Sequence, residues 1–349
     1  METKDAVMGA IHTEIIQRKE EALEHRLDSI YFGGGTPSIL NTTELETIFN
    51  LIKKNYHLSD DVEITLEANP DDVNRIRLDE WQSLGINRLS LGIQSLDDLV
   101  LKWMNRPHNA AEALQSLELI SQSGIRNFSC DLIYGLPQSS DEDWIRNLDT
   151  LIDFGVPHLS CYALTVEPKT VLHHQVNRMK SVVVSEEDTS RQMLLMLEHL
   201  AVHHYEDYEI SNFALPGHRS RHNSSYWKGQ SYFGFGPAAH SFDGHKRRWN
   251  IANNMLYAKS VQENLPYYEE EILSSKDHYN EYIMLQLRRK EGISTQELQS
   301  RFPDYFPIAQ KVMESYFASG HLLRNKDAYF LSHSGKLLCD RISMEAFGE

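Results

Sequence analysis

The sequence predicts an α/β fold: an open, partial barrel of parallel strands, followed by a small α+β domain. Two features carry this reading. Short apolar strand signals alternate with helical segments of ten or more residues, the pattern of parallel βαβ units. The glycines and polar residues that look chemical fall where strands end, the edge at which barrels and open parallel sheets gather their sites. The units are too few for a closed eight-stranded barrel.

The elements follow in order. Residues 6–23 have a helical period, with Ile11, Ile15 and Ile16 among polar neighbours. Residues 29–32 form a short apolar strand. Residues 43–54 are helical, with Asn41-Thr42-Thr43 as a cap and Glu44 and Glu46 in the first turn. A strand at 63–68 leads to a short helix at 79–84, stopped by Gly85. Then come a strand at 88–92, a helix at 110–123 stopped by Gly124, and a strand at 127–134. A helix at 141–154 stopped by Gly155, a strand at 158–163, a long helix at 186–204 and a strand at 208–210 complete the series. Beyond residue 211 the texture changes, and 217–244, rich in Gly, Ser, His, Tyr and Trp, reads as ordered loop. From Asp277 a second unit is expected: helices at 279–289, 294–301 and 308–319, then a hairpin of 322–324 and 329–331, and a final helix at 334–346. That order suggests a winged-helix-like shape. It does not imply DNA binding, since the unit shows no basic recognition helix. The expected domains are 1–212, 213–275 and 276–349.

With 349 residues, the chain can bury a large core. No apolar run approaches the ~18 residues of a membrane span. The start, Met1-Glu2-Thr3-Lys4-Asp5, lacks a secretory pattern, so a cytoplasmic location is the default expectation. Peripheral contact with a membrane surface stays open. A formal net charge of −16 argues against general nucleic-acid binding, although Lys246-Arg247-Arg248 could form a local basic patch. The three cysteines, Cys130, Cys161 and Cys339, are too few and too dispersed for a disulfide framework, and they read as core thiols.

Four motifs end the strands: Tyr31-Phe32-Gly33-Gly34-Gly35-Thr36-Pro37-Ser38, Thr65-Leu66-Glu67-Ala68-Asn69-Pro70, Leu89-Ser90-Leu91-Gly92-Ile93-Gln94-Ser95 and Asp131-Leu132-Ile133-Tyr134-Gly135-Leu136-Pro137. A glycine turn lets backbone amides approach a ligand, and it is equally common as a plain βα turn. Glu67 could pair with an ammonium or accept from a hydroxyl; alone it could as well be solvated. Arg106 offers a carboxylate fork, or is a surface arginine. Asp131, among apolar neighbours, needs partners such as a diol. Taken jointly, the order and spacing resemble the core of the radical S-adenosylmethionine (SAM) proteins of the oxygen-independent coproporphyrinogen oxidase family. The resemblance implies a partial (β/α)6 barrel, a SAM pocket formed by Gly34, Gly35, Thr36, Glu67, Gln94, Arg106 and Asp131, and a C-terminal domain covering the barrel mouth.

A second cluster is Arg221-His222-Asn223-Ser224-Ser225-Tyr226-Trp227. His-Asn-x-x-Tyr-Trp is similar to the motif of one branch of that family, the HemW haem chaperones. An imidazole can ligate haem iron, and Tyr and Trp offer flat apolar faces to a porphyrin. The resemblance implies haem binding by His222, Asn223, Tyr226 and Trp227, with His222 as iron ligand and Arg221 facing a propionate. His240, in the glycine-rich run Tyr232-Phe233-Gly234-Phe235-Gly236-Pro237-Ala238-Ala239-His240-Ser241, is a second candidate ligand. With 17 histidines in the chain, a loop-structuring role for His222 and Asn223 stands beside this one.

The family opens with a C-x-x-x-C-x-x-C loop that holds a 4Fe–4S cluster, and no cysteine precedes Cys130. The loop and the first core strand are therefore expected to be missing, through a shortened chain or a cluster-free relative; truncation is favoured because the cut exposes a strand edge. The function implied is a haem chaperone that passes haem to an apo-haemoprotein acceptor. The alternatives are a truncated radical SAM coproporphyrinogen III oxidase-like enzyme and a barrel without ligand.

Overall fold

A computed structural model describes residues 2–137, 139–165 and 185–348. Its centre is a curled seven-stranded sheet in the order β1-β2-β3-β4-β5-β7-β6. The strands β1 (Arg26–Phe32), β2 (His57–Ala68), β3 (Arg88–Gln94), β4 (Asn127–Tyr134) and β5 (His158–Ala163) run parallel. On the convex side lie α1 (Glu2–Gln17), α2 (Thr42–Asn55), α3 (Arg75–Leu84), α4 (Asp98–Trp103), α5 (Ala110–Ser121), α6 (Asp141–Asp153) and α7 (Glu186–Val202). The expected half-barrel is present, and its first five strands match the sequence reading.

Each strand alternates. Ile64, Leu66, Leu89, Leu91, Cys130, Leu132, Leu159 and Cys161 are buried in one core with Trp81 of α3 and Trp144 of α6. The intervening positions carry Thr65, Glu67, Ser90, Asp131 and Ser160, which belong to the opposite face because side chains alternate across a strand. Parallel sheets are usually apolar on both faces. A polar concave face therefore marks a lumen meant for something other than core packing.

The strand expected at 208–210 is corrected. The chain forms two short strands, β6 (Glu206–Asp207) and β7 (Asn212–Ala214), with β7 antiparallel to both β5 and β6. The turn between them is too short for a crossover, so only antiparallel pairing is open. The ordered-loop reading of 217–244 is also corrected. It holds α8 (Arg221–Trp227), capped by Ser220, and β8 (His240–Phe242). With β9 (Lys246–Asn250) and β10 (Tyr268–Ile272), β8 forms an antiparallel sheet, and α9 (Asn254–Gln262) packs against α1. The suspected basic patch is neutralised there: Lys246 pairs with Glu270, Arg247 with Glu281, and Arg248 with Glu21 and Glu270.

A separate core from Tyr279 to Ala346 gathers α10 (Ser275–Arg288), α11 (Thr295–Arg301), α12 (Phe306–Ala318), α13 (His333–Lys336) and α14 (Cys339–Ala346). They surround a sheet of order β11-β13-β12, formed by β11 (Ile293–Ser294), β12 (Leu322–Arg324) and β13 (Ala328–Leu331). Three helices and a hairpin follow the winged-helix-like order that the sequence suggests; the short strand β11 is an addition to it, and the single final helix expected at 334–346 is corrected to the two helices α13 and α14. Among the described residues no helix is long and apolar enough to cross a membrane.

Candidate functional site

The ends of β1 to β4 enclose a cavity of about 190 Å³. Gly35, Thr36, Glu67, Gln94, Arg106 and Asp131 all line it, joined by Asn69, Ser90 and Gly92. Gly34 sits in the same turn at φ 80°, a left-handed conformation suited to glycine, and its N–H donates to Glu67. All seven residues expected at one pocket thus meet around it. Neighbouring Gly33 has no room for a side chain: a Cβ would fall 2.6 Å from the Tyr31 ring and 2.7 Å from Glu67 Oε1.

The site is polar and short of protein partners. Tyr31 Oη donates to Glu67 Oε1 at 2.8 Å, and burial nevertheless pushes the Glu67 carboxyl above its ordinary range. Asp131 is pushed up to about 7, chiefly by burial and further by the Glu67 charge, against hydrogen bonds from Ser160 and Ser90. Arg106 Nη2 donates to Asn69 Oδ1 at 2.7 Å and to the Gly92 carbonyl at 3.0 Å. Its Nε and Thr65 Oγ1 are buried without a hydrogen-bond partner among the described residues. Unpaired buried polar atoms cost free energy, so the cavity is built for a polar ligand carrying donors for the carboxylates and an acceptor for the guanidinium. Gln94 closes β3 at φ 66°, where the register to β4 shifts. This strained turn brings its amide back over the cavity.

Sequence reasoning missed Tyr31, Asn69, Ser90 and Gly92 as site residues. The signal for Ser90 and Gly92 was the polar half of the strand alternation, between Leu89, Leu91 and Ile93.

Helix α8 packs against β1 and brings the second cluster beside this site. Glu63, a buried carboxylate of β2, accepts the backbone N–H of His222 at 2.9 Å and of Arg221 at 3.1 Å. A carboxylate there satisfies the free amides of a helix start. His222 Nδ1 lies 2.9 Å from Ser29 Oγ, and its ring stacks on Tyr31 at 4.7 Å. Tyr226, one helical turn on, meets the imidazole edge-on at 5.0 Å. Burial pushes His222 down to about 4, so the ring is neutral near pH 7, the form in which imidazole binds metals. Its Nε2 has no hydrogen-bond partner among the described residues.

The rest of the motif is arranged differently from the sequence expectation. Trp227 lies under Arg288 of α10, and its carbonyl accepts from Gln286, so it ties α8 to the C-terminal unit. Arg221 is held by Asp61. Asn223 is half-buried, with its N–H donating to Ser220 Oγ as part of the cap. His240 stands exposed on β8, facing Trp249.

The cysteines do not fit an iron–sulfur cluster. Cys130 and Cys161 lie in the apolar core on the convex face, and Cys339 lies in the C-terminal core. Burial pushes all three thiols up, Cys339 to about 11, away from the thiolate form that clusters require.

The comparisons with known proteins agree with this layout. The family model of the Radical SAM superfamily matches residues 10–164. The solved coproporphyrinogen III oxidase (HemN) from Escherichia coli, described as a radical SAM enzyme, superposes with a TM-score of 0.84 over 98% of this chain and 83% of its own; at 21% identity the likeness is one of fold. The Heme chaperone HemW of Bacillus subtilis is 30% identical over 351 residues, covering 99% of this chain and 92% of that protein. The Heme chaperone HemW of Haemophilus influenzae is 31% identical, covering 94% of this chain and 85% of that protein. Similarity of this extent spans both the half-barrel and the regions that follow it, so the chain belongs to the HemW heme chaperone family.

Proposed function

We propose that this chain binds haem beside α8 and passes it to an apo-haemoprotein, while the cavity at the strand ends holds SAM or a close analogue. The observation that carries the reading is a continuous contact. The His222 ring stacks on Tyr31, and the Tyr31 hydroxyl holds Glu67 in the cavity wall. The haem-ligand candidate and the SAM-type pocket therefore share a side chain. Ser29 orients the imidazole through Nδ1, as outer-sphere partners of metal-bound histidines do, and leaves Nε2 for iron. Tyr226 supplies an exposed aromatic face next to it.

In the cavity, Glu67 and Asp131 would take the ammonium and ribose hydroxyls, and Arg106 the carboxylate. No step of radical chemistry is assigned to this chain, because its cysteines do not fit the cluster. The reading is supported by the names of its relatives and by this geometry. The test is haem transfer: the haem-loaded chain is mixed with an apo-haemoprotein, and the acceptor's Soret band is followed. Transfer faster than from free haem in buffer supports the reading. Failure to retain haem through gel filtration removes it and leaves only the SAM-type pocket.

A further inference from the structure

We propose that Asp149, His199 and His203 form a binding site for a divalent transition-metal ion, with zinc as the reference ion, on the outer surface of the half-barrel. Helix α7 places His199 and His203 one turn apart, at i and i+4, where side chains share a face. Their rings lie 4.8 Å apart. Helix α6 contributes Asp149, whose Oδ1 is 2.6 Å from His199 Nε2. One donor atom from each of the three lies within 4.8 Å of the other two, and all three side chains are half-buried.

The donor set suits the ion. Two imidazole nitrogens and one carboxylate oxygen are three zinc-type ligands with a fourth position left for water. Nickel, cobalt and copper share this chemistry. At metal–ligand distances of about 2.0–2.2 Å, tetrahedral donors stand roughly 3.3 Å apart. Reaching that spacing takes a widening of the His199–Asp149 contact from 2.6 Å and an inward swing of the His203 ring. His203 is also the C-cap of α7, where the carbonyl end of a 17-residue helix attracts a cation.

The scaffold around the site is registered. Arg191 of α7 pairs with Asp141 of α6, and His199 pairs with Asp149. Both helices take the same eight-residue step between these pairs, about 12 Å of rise, so the helices run side by side in step. The site lies where α6 leads into β5, at the end of the sheet opposite the cavity. An ion there would fasten α6 to α7 rather than take part in chemistry at the cavity, in keeping with the structural role of that barrel face.

The test uses the full chain, chelator-treated and dialysed, with zinc chloride as the added ion. Calorimetry should show one stoichiometric site, and zinc should raise the melting temperature. His203→Ala leaves the His199–Asp149 contact in place and should weaken zinc binding at least tenfold and abolish the thermal shift. His25→Ala, exposed beside β1 at the edge of the sheet far from β5, should leave both unchanged. Cobalt added to wild type should give visible bands that His203→Ala lacks. Circular dichroism confirms that the variants are folded. Zinc binding equal in wild type and His203→Ala, or no stoichiometric binding by wild type, overturns the proposal.

Discussion

Asp131→Asn is a substitution whose consequence can be worked through in numbers. The carboxyl lies between Ser90 and Ser160 with the Glu67 charge nearby, and it is raised from 3.8 to about 7. The folded protein therefore holds this proton more tightly than the unfolded chain does. The resulting stabilisation is full below about pH 4, declines as the pH rises, and is gone above about pH 7. Three units at ~1.4 kcal/mol each give about 4 kcal/mol, an upper bound because the cavity opens to water. Asparagine keeps the shape and has no proton to lose. Between pH 4 and pH 7 wild type should lose up to about 4 kcal/mol relative to Asp131→Asn. Urea unfolding of both proteins at pH 5, 6, 7 and 8 measures the difference. A ligand that donates hydrogen bonds to Asp131 favours its ionised form, so SAM should bind wild type more tightly as the pH rises toward about 7, by up to about tenfold per unit. Parallel pH curves for the two proteins, together with pH-independent SAM affinity, would refute the assignment of Asp131 as the titrating wall of the pocket.

Other perturbations probe the remaining links. Iron and sulfide reconstitution of this chain under anaerobic conditions should yield no stoichiometric 4Fe–4S cluster, read from the visible spectrum; a cluster lost on Cys130→Ala or Cys161→Ala would contradict the burial argument. Glu63→Ala strips the start of α8 of its acceptor and should cost about 2–4 kcal/mol in urea unfolding; a loss under 0.5 kcal/mol would show that water replaces the carboxylate. Tyr31→Phe removes the hydroxyl on Glu67 but keeps the ring under His222, so it should weaken SAM binding while the haem spectrum stays as in wild type. Trp227→Ala should loosen the contact between α8 and α10 and increase protease cleavage between them, with no change in the Soret position.

The half-barrel was legible because its evidence is local and repeated. Alternating apolar positions, caps such as Asn41, and glycines after helices mark each unit in turn. The pocket residues were legible for a related reason: strand ends are fixed by those same units. The region after residue 211 was not. Its folding depends on long-range anchors, above all Glu14 of α1, which accepts from Asn250, Tyr257 and the Gly236 N–H. Arg18 then lies over Phe233 and Phe235. Such contacts span more than 200 residues of sequence and leave no periodic trace. Trp227 shows the same limit within one motif. Adjacent in sequence to Tyr226, it faces another element, because neighbouring helical positions point about 100° apart.

The central claim is that His222 binds haem iron, and haem titration of wild type against His222→Ala tests it most directly. Thermal melts run alongside report whether the variant is folded. The account predicts a shifted Soret band and at least tenfold weaker binding in a folded His222→Ala protein, with His333→Ala indistinguishable from wild type. An unchanged spectrum and affinity in a folded His222→Ala protein would contradict it, and would make the imidazole a packing element between Ser29, Tyr31 and Tyr226.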